Sequence, residues 1–415
     1  MVEIMMHKKS VIILIITILA LLTISIDGCD NVAKPQFDLQ GPVEESWYNI
    51  YQNSSTTDYT NQAKALVVDN AGNVYVTGRS RDDIATIKYN KQGKRIWVAR
   101  YPIGSAYAIY AMSFDNLGNI LVCGSNIIKY DTNGKEIWAV PYEDGSGNSG
   151  YAKKIVFDKS GNIIAVGNLY SGDMENCAVI KYDSNGNRIW VTQYYTQIPR
   201  SVDPLTIESG EWEAVTIDQV GNIYVAGTAG VIKYNDDGKE LWIGKKGGQA
   251  IALDVSGDIY VTGYRGTTKY SDSGNILWSN KDPGSAVVLD NMGNLYVTYP
   301  RGALETDFNG KTIKYDVSGN ELWSIDYGGS VIVLDNTGGI YVPVGDLYTL
   351  VKYDYDGNQQ WEARLFQSGG GGNNISAISL DDNKNVYVTG DIISEIFLSP
   401  DDSGSAYCTV KYSQK

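Results

Sequence analysis

Short runs of β-branched and aromatic residues recur from Trp47 to the end of the chain, and Gly, Asn and Asp fill the gaps between them. Runs of this composition, bounded by turn residues, predict β-strands. One unit shows the pattern, with strands A to D expected at 250–254, 258–263, 267–270 and 275–278. After the N-terminal segment we expect strands throughout and no helix, so the predicted fold class is all-β.

A Lys-Tyr pair closes strand C of each unit, and in seven units a Trp in strand D follows the Tyr by eight residues. An Asp before strand B marks the eight units, which recur at intervals of 36 to 60 residues. Four antiparallel strands repeated at this length predict the blades of a β-propeller. The pairs are Tyr89/Trp97, Tyr130/Trp138, Tyr182/Trp190, Tyr234/Trp242, Tyr270/Trp278, Tyr315/Trp323 and Tyr353/Trp361.

Two residues are left over from this repeat. Tyr412 ends the last unit with no Trp after it, and Trp47 precedes the first unit with no Tyr before it. An N-terminal strand that completes the last unit would pair them and would hide the edges that an open array exposes. We therefore predict an eight-bladed β-propeller of four-stranded antiparallel blades, closed by the N-terminal strand, with Trp47 and Tyr412 in one blade.

The repeat resembles a known family. The phrases Leu-Asp-x-x-Gly-Asn-Ile-Tyr-Val-Thr-Gly and Ile-Lys-Tyr-Asp-x-x-Gly-Asn-x-Leu-Trp resemble the SBBP-type β-propeller repeat over nearly all of 45–415. The Asp-x-x-Gly-x-x-x-Trp corner is also similar to PQQ-type propeller repeats. The resemblance implies a propeller of exported bacterial proteins and no single activity. The family name implies seven blades, whereas this chain has eight units.

The first residues read as an export signal. Lys8 and Lys9 precede an apolar run from residue 11 to 26, which is shorter than the roughly 20 residues of a membrane span. The segment from Ile26 to Cys29 resembles a bacterial lipobox, whose Cys becomes lipidated. We expect a signal peptide at 1–28, a lipid-anchor Cys29 with a tether at 29–44, and one propeller domain at 45–415. An uncleaved anchor and plain secretion are the alternatives, and all three place the propeller outside the cytoplasm.

The composition of the chain excludes several classes of function. The formal net charge is −14, which repels phosphate backbones, so nucleic acid is not an expected partner. The only histidine is His7, inside the signal, which excludes His-dependent nucleophilic catalysis and His-ligated metals in the mature chain. We expect no cofactor, no metal and no catalytic residue. Carboxylate chemistry stays open, because a glycosidase needs only two acids at a set separation.

The turns predict which face of the propeller carries function. Nearly all of the A–B and C–D turns share an Asp/Asn-x-x-Gly pattern, and these turns emerge on one face, the turn face. The B–C and D–A connections vary in length and emerge on the other face, the loop face. Irregular loops on a rigid scaffold usually carry binding. The expected ligand-binding residues are Trp212, Tyr107, Tyr195, Tyr264, Tyr299 and Arg301.

Trp212 is the one Trp outside the repeat register, and two roles are open for it: stacking on a ligand or plugging its irregular loop. The Lys of each Lys-Tyr pair lies in mid-blade, where a buried ammonium needs a partner, and the strand-A Asp residues are the expected partners. The leading function is a monomeric, non-enzymatic binding or scaffold module for glycan or envelope protein. It would touch the membrane only through its lipid anchor. The alternative is a carboxylate-dependent glycan hydrolase or lyase.

Overall fold

The computed structural model describes residues 36–52, 61–102, 109–172, 174–199, 212–301, 310–344, 348–366, 374–393 and 405–414. Within these ranges the chain forms eight antiparallel sheets arranged as an eight-bladed β-propeller, as predicted. Among the described residues, no helix has the length and apolar character needed to cross a membrane.

The strands follow the predicted A-to-D order in each blade. The chain begins with β1 (Gln36–Gln40) and β2 (Val43–Tyr51). Blade 1 contains β3 (Asn61–Val68), β4 (Val74–Ser80), β5 (Asp83–Tyr89) and β6 (Arg95–Pro102). Blade 2 contains β7 (Ile109–Phe114), β8 (Ile120–Gly124), β9 (Asn126–Tyr130) and β10 (Glu136–Pro141). Blade 3 contains β11 (Ser149–Phe157), β12 (Ile163–Ser171), β13 (Met174–Tyr182) and β14 (Arg188–Pro199). Blade 4 contains β15 (Trp212–Ile217), β16 (Ile223–Gly227), β17 (Gly230–Tyr234) and β18 (Glu240–Gly244).

The second half of the ring repeats the same order. Blade 5 contains β19 (Ala250–Leu253), β20 (Ile259–Gly263), β21 (Gly266–Tyr270) and β22 (Ile276–Asn280). Blade 6 contains β23 (Ala286–Leu289), β24 (Leu295–Tyr299), β25 (Lys311–Tyr315) and β26 (Glu321–Ile325). Blade 7 contains β27 (Val333–Leu334), β28 (Ile340–Val344), β29 (Thr349–Tyr353) and β30 (Gln359–Phe366). Blade 8 contains β31 (Asn374–Leu380), β32 (Val386–Ile393) and β33 (Ser405–Gln414), and β2 completes it.

The hydrophobic core is divided into separate clusters, each at a junction between neighbouring blades. The A strands of successive blades contact one another around the axis, so the D strands form the outer rim. Strands β16 and β17 are buried along their whole length, because neighbouring blades cover both faces of the sheet. The apolar clusters accordingly span two blades, as where Val166 and Val179 of blade 3 meet Ile223 and Val225 of blade 4.

The repeated Trp joins each blade to the next. The indole of Trp97 packs on Gly134 in the following C–D turn, where a Cβ atom would lie 2.6 Å from the ring, and its Nε1 donates to the Thr132 carbonyl at 3.2 Å. Seven junctions share this contact, so the prediction that the Trp residues are packing anchors is confirmed there. The pairs are Trp47–Gly93, Trp97–Gly134, Trp138–Gly186, Trp190–Gly238, Trp242–Gly274, Trp278–Gly319 and Trp323–Gly357.

The ring closes as the leftover residues predicted. Strand β2 pairs with β33, with Trp47 opposite Lys411 and Glu45 opposite Tyr412, so Trp47 and Tyr412 do share blade 8. Blade 8 has no C–D turn, because its D strand comes from the N-terminal part of the chain. Trp361 of blade 7 therefore meets no turn, and its Nε1 has no hydrogen-bond partner among the described residues.

The predicted tether is wrong for residues 36–44. Strand β1 pairs antiparallel with β30 as a fifth strand of blade 7, with Gln36 opposite Phe366 and Gln40 opposite Glu362. The ring of Phe37 packs against Tyr48 and Tyr412 at centroid distances of 5.9 and 6.2 Å. Phe37 and Leu39 alternate with polar residues, and this period of two puts both apolar side chains on the core side.

The lysines of the Lys-Tyr pairs have the expected strand-A Asp partners in four blades. Lys129 lies 2.9 Å from Asp115, and Lys181 lies 2.9 Å from Asp158 and 2.5 Å from Asp236 of the next blade. The Lys–Asp hypothesis is thus confirmed in four blades, the other two pairs being Lys269–Asp254 and Lys352–Asp335. In blade 4, Lys233 pairs instead with Asp272 in the C–D turn of blade 5. In blades 1 and 6 a turn carbonyl takes this place: Lys88 donates to the carbonyl of Thr132 at 3.3 Å, and Lys314 donates to the carbonyl of Tyr355 at 3.1 Å. The feature belongs to the scaffold.

Candidate functional site

Trp212 does not stand on the surface. Its side chain is fully buried at the junction of blades 3 and 4, packed on Tyr194 at 5.9 Å between ring centroids. Because β15 begins at Trp212, the indole occupies a core position beside Val166 and Val225. The ligand-stacking role is therefore wrong: the indole packs at the blade junction. The irregular connection that it was expected to plug lies outside the described residues.

The other predicted site residues lie on several blades. Tyr264 is 59 % exposed in the B–C turn of blade 5, and Arg301 is exposed after the end of β24 in blade 6. Tyr299, in β24, is only 4 % exposed, so it too lies in the core rather than on an open surface. Tyr195 belongs to β14 with its backbone opposite Asn176, and Tyr107 lies outside the described residues. The predicted residues therefore do not form one described cluster.

Blade 3 extends beyond its neighbours on the loop face. Its strands have nine to twelve residues, whereas those of blades 4, 5 and 6 have four to six. Its A–B and C–D turns have the ordinary length, so the additional residues project from the loop face. The 60-residue interval between Asp158 and Asp218 is the trace of this extension in the sequence.

Three tyrosines gather at this projection and form the tyrosine cluster, Tyr110, Tyr151 and Tyr170. The rings of Tyr110 and Tyr151 lie 5.2 Å apart, and those of Tyr151 and Tyr170 lie 5.8 Å apart. Tyr110 and Tyr151 lie near the loop-face starts of the inner strands β7 and β11, and Tyr170 lies near the loop-face end of β12. Tyr110 is 39 % exposed, so the cluster has an accessible aromatic edge close to the propeller axis.

Charged and polar side chains surround the tyrosine cluster. The Nζ atom of Lys153 lies 6.0 Å from the ring centroid of Tyr110 and forms an ion pair with Glu213 of blade 4. Glu175 accepts a hydrogen bond from the Asn168 amide, and the Tyr151 hydroxyl lies 3.5 Å from the same carboxylate. Asn168 is fully buried, and its Oδ1 has no hydrogen-bond donor among the described residues.

This arrangement combines apolar ring surface with donors and acceptors. Tyrosine presents an apolar ring and a polar hydroxyl, which suits ligands with one apolar and one polar side. Binding sites commonly join an aromatic lining to a few placed polar groups. The Lys153–Glu213 ion pair adds one cationic and one anionic group beside the rings.

The sequence-based prediction missed the tyrosine cluster, because none of its three tyrosines is among the predicted ligand-binding residues. Tyr110, Tyr151 and Glu213 occupy ordinary strand-A positions. The local sequence pattern therefore does not distinguish them from the structural residues of a blade. Two features of the sequence could have indicated the cluster: the 60-residue interval between Asp158 and Asp218, and the large aromatic residues where inner strands begin at the loop face. Ring packing brings these distant positions together.

The turn face also has a cleft. A cleft of about 930 Å³ lies between the A–B turns of blades 3, 4 and 5, lined in part by Asp218, Val220 and Val255. Val220 is 81 % exposed at its edge. The carboxylates here hold turns together, as where Asp218 accepts the backbone N–H of Val220 at 2.9 Å. Among the described residues, no group of His, Cys, Asp or Glu side chains is arranged to hold a metal ion.

Asp391 is the counterpart of Asn168 in blade 8. Each follows the Gly of strand B, and each lies opposite a residue near the start of strand A, Asn374 or Tyr151. Burial raises the pKa of Asp391 to about 6, against the opposing effects of Lys64 and a backbone hydrogen bond from Ala63. One of its carboxylate oxygens has no partner among the described residues.

Comparison with known proteins supports the fold. No family model and no curated protein matches the chain. The solved structure of BamB from Moraxella catarrhalis is similar at 13 % identity and a TM-score of 0.56, covering 86 % of this chain and 99 % of that one. The C-terminal WD40 domain of Sif2 is similar at 10 % identity and a TM-score of 0.57, covering 85 % and 97 %. At these identities the likeness shows the propeller fold alone.

Proposed function

We propose that this protein is an exported, envelope-anchored binding module that holds a glycan at the tyrosine cluster without cleaving it. The observation that carries the proposal is the aromatic cluster at the projecting end of blade 3, with Asn168, Glu175 and the Lys153–Glu213 pair around it. A sugar ring has an apolar C–H face and a polar hydroxyl edge, which correspond to the rings and the surrounding polar groups.

Three further features support an extracytoplasmic binding role. Cys29 stands in a lipobox-like sequence after an apolar export segment. The repeat resembles the SBBP type, which implies exported propellers. The rigid ring of blades also suits a scaffold, because binding to a preformed site costs less ordering entropy. The loop face, in this proposal, binds through blade 3 rather than through Trp212.

The test is a screen of the purified mature chain against a glycan array and against envelope-protein fractions, followed by titration of any glycan that binds. Tyr110→Ala should weaken binding roughly tenfold, the loss expected for one aromatic contact of about 1.4 kcal/mol. Tyr327→Ala is the matched control, because Tyr327 is 54 % exposed and lies in the D–A connection of blade 6, on the loop face. Equal losses from both variants, or binding only to protein fractions, would overturn the glycan assignment.

A glycan hydrolase or lyase is the second candidate, because two carboxylates, Glu175 and Glu213, lie beside the tyrosine cluster. Cleavage needs one acid to donate a proton and a second group to act as base or nucleophile. Incubating a bound glycan with the protein and measuring new reducing ends separates the two functions. Release that disappears in Glu175→Gln would establish the enzyme, and intact glycan after long incubation would establish the binding module.

A further inference from the structure

The structure determines where the chain leaves the propeller on its N-terminal side. All five residues of β1 are paired to β30, and Phe37 and Leu39 are packed into the apolar cluster shared by blades 7 and 8. Gln36 lies opposite Phe366, at the loop-face end of the outer rim of blade 7. Any anchor upstream of Gln36 is therefore connected to the propeller at this one point of the rim.

The connection between that point and the proposed anchor is short. Cys29 and Gln36 are seven residues apart, which allows about 25 Å at full extension. If β1 were not paired, the connection would run from Cys29 to Val43, fourteen residues, and would reach about 50 Å. A ring of eight four-stranded blades is roughly 50 Å across at ordinary strand and sheet spacings. The pairing of β1 therefore decides whether the connection can reach one side of the ring or every side.

We propose that the bilayer holding the Cys29 lipid lies beside the rim of blades 7 and 8, and that blade 3 points away from it. This rests on the proposed lipid anchor. In a ring of eight, blades 7 and 3 are diametrically opposite, so the tyrosine cluster, on inner strands of blades 2 and 3, lies across the propeller axis from the anchor. The short connection imposes the orientation rather than attraction to lipid, because Asp38 and Glu44 on this rim are exposed carboxylates that anionic lipid repels.

Energy transfer between the protein and the membrane tests this orientation. Asn185→Cys and Asp356→Cys place single labels at equivalent exposed positions of the C–D turns of blades 3 and 7. The three cysteines of the propeller are buried, so labelling is selective. The lipidated full-length protein is reconstituted into vesicles that contain a headgroup acceptor dye. We expect transfer from position 356 to exceed transfer from position 185 severalfold, because the two positions differ mainly in blade number.

Two variants make the result decisive. Phe37→Asp combined with Leu39→Asp should release β1 and equalise transfer from the two positions, as should a long Gly/Ser insertion before residue 35. Equal transfer in the unaltered connection, or greater transfer from position 185, would overturn the orientation. Mass spectrometry of Cys29 is the separate check on the anchor. An unlipidated Cys29 would overturn this proposal and leave glycan binding by the soluble propeller intact.

Discussion

Replacing Asp391 with Asn should stabilise the propeller at neutral pH and have little effect in acid. Burial raises the pKa of this carboxyl to about 6 from an ordinary value of 3.8. That difference corresponds to roughly 3 kcal/mol at about 1.4 kcal/mol per pH unit. Asparagine keeps an oxygen that can accept the Ala63 backbone hydrogen bond, and Asn168 already occupies the equivalent position in blade 3.

The pH dependence follows from the direction of the shift. Since the folded pKa lies above the unfolded pKa, the folded state binds more protons between about pH 4 and 6. The cost of the buried charge is therefore absent below pH 4, grows between pH 4 and 6, and is complete above pH 6. The stability difference between Asp391→Asn and the unaltered protein should grow over the same window to about 2–3 kcal/mol.

Urea unfolding of both proteins at pH 4 and pH 7.5 measures this difference directly. The other carboxylates contribute equally to both proteins and cancel in the comparison. Asp237→Asn is the matched control, because Asp237 is an exposed carboxylate in a turn of blade 4. If Asp391→Asn were no more stable at pH 7.5, or gained equally at both pH values, the burial argument would be refuted.

Two further predictions concern the blade junctions. Trp278→Phe should lower the free energy of unfolding by about 1 kcal/mol more than Trp361→Phe, because only the first loses an indole hydrogen bond, which urea unfolding of the two variants will show; equal losses would contradict this role. Gly134→Ala should cost about 2–4 kcal/mol, since it combines a φ of 81° with a clash against an indole. Gly161→Ala, with a φ of 80° and open space, should cost only about 1–2 kcal/mol, and thermal melts that reversed this order would count against the packing role.

Much of the scaffold can be predicted from the sequence, because each blade repeats the same short sequence pattern. The Asp-x-x-Gly turns, the Lys-Tyr strand end and the Trp eight residues later carry most of the information for one blade and its junction. Trp47 and Tyr412 predicted the closure, because each lacks a partner that the other supplies. Strand β1 was not predicted, since its five residues, in a short segment between Pro35 and Pro42, carry too little pattern to distinguish a strand from a tether.

The sequence by itself determined the number of blades, their order and the way the ring closes, because these depend on short-range patterns repeated eight times. Only the tertiary structure decided which side chains are accessible. Trp212 is buried because a neighbouring blade covers it, and Asp391 has a raised pKa for the same reason. Tyr110, Tyr151 and Tyr170 meet because two blades pack side by side. The burial of a side chain and its contacts depend on the residues that neighbouring blades place around it. Those residues are distant in sequence, so a local pattern does not predict them.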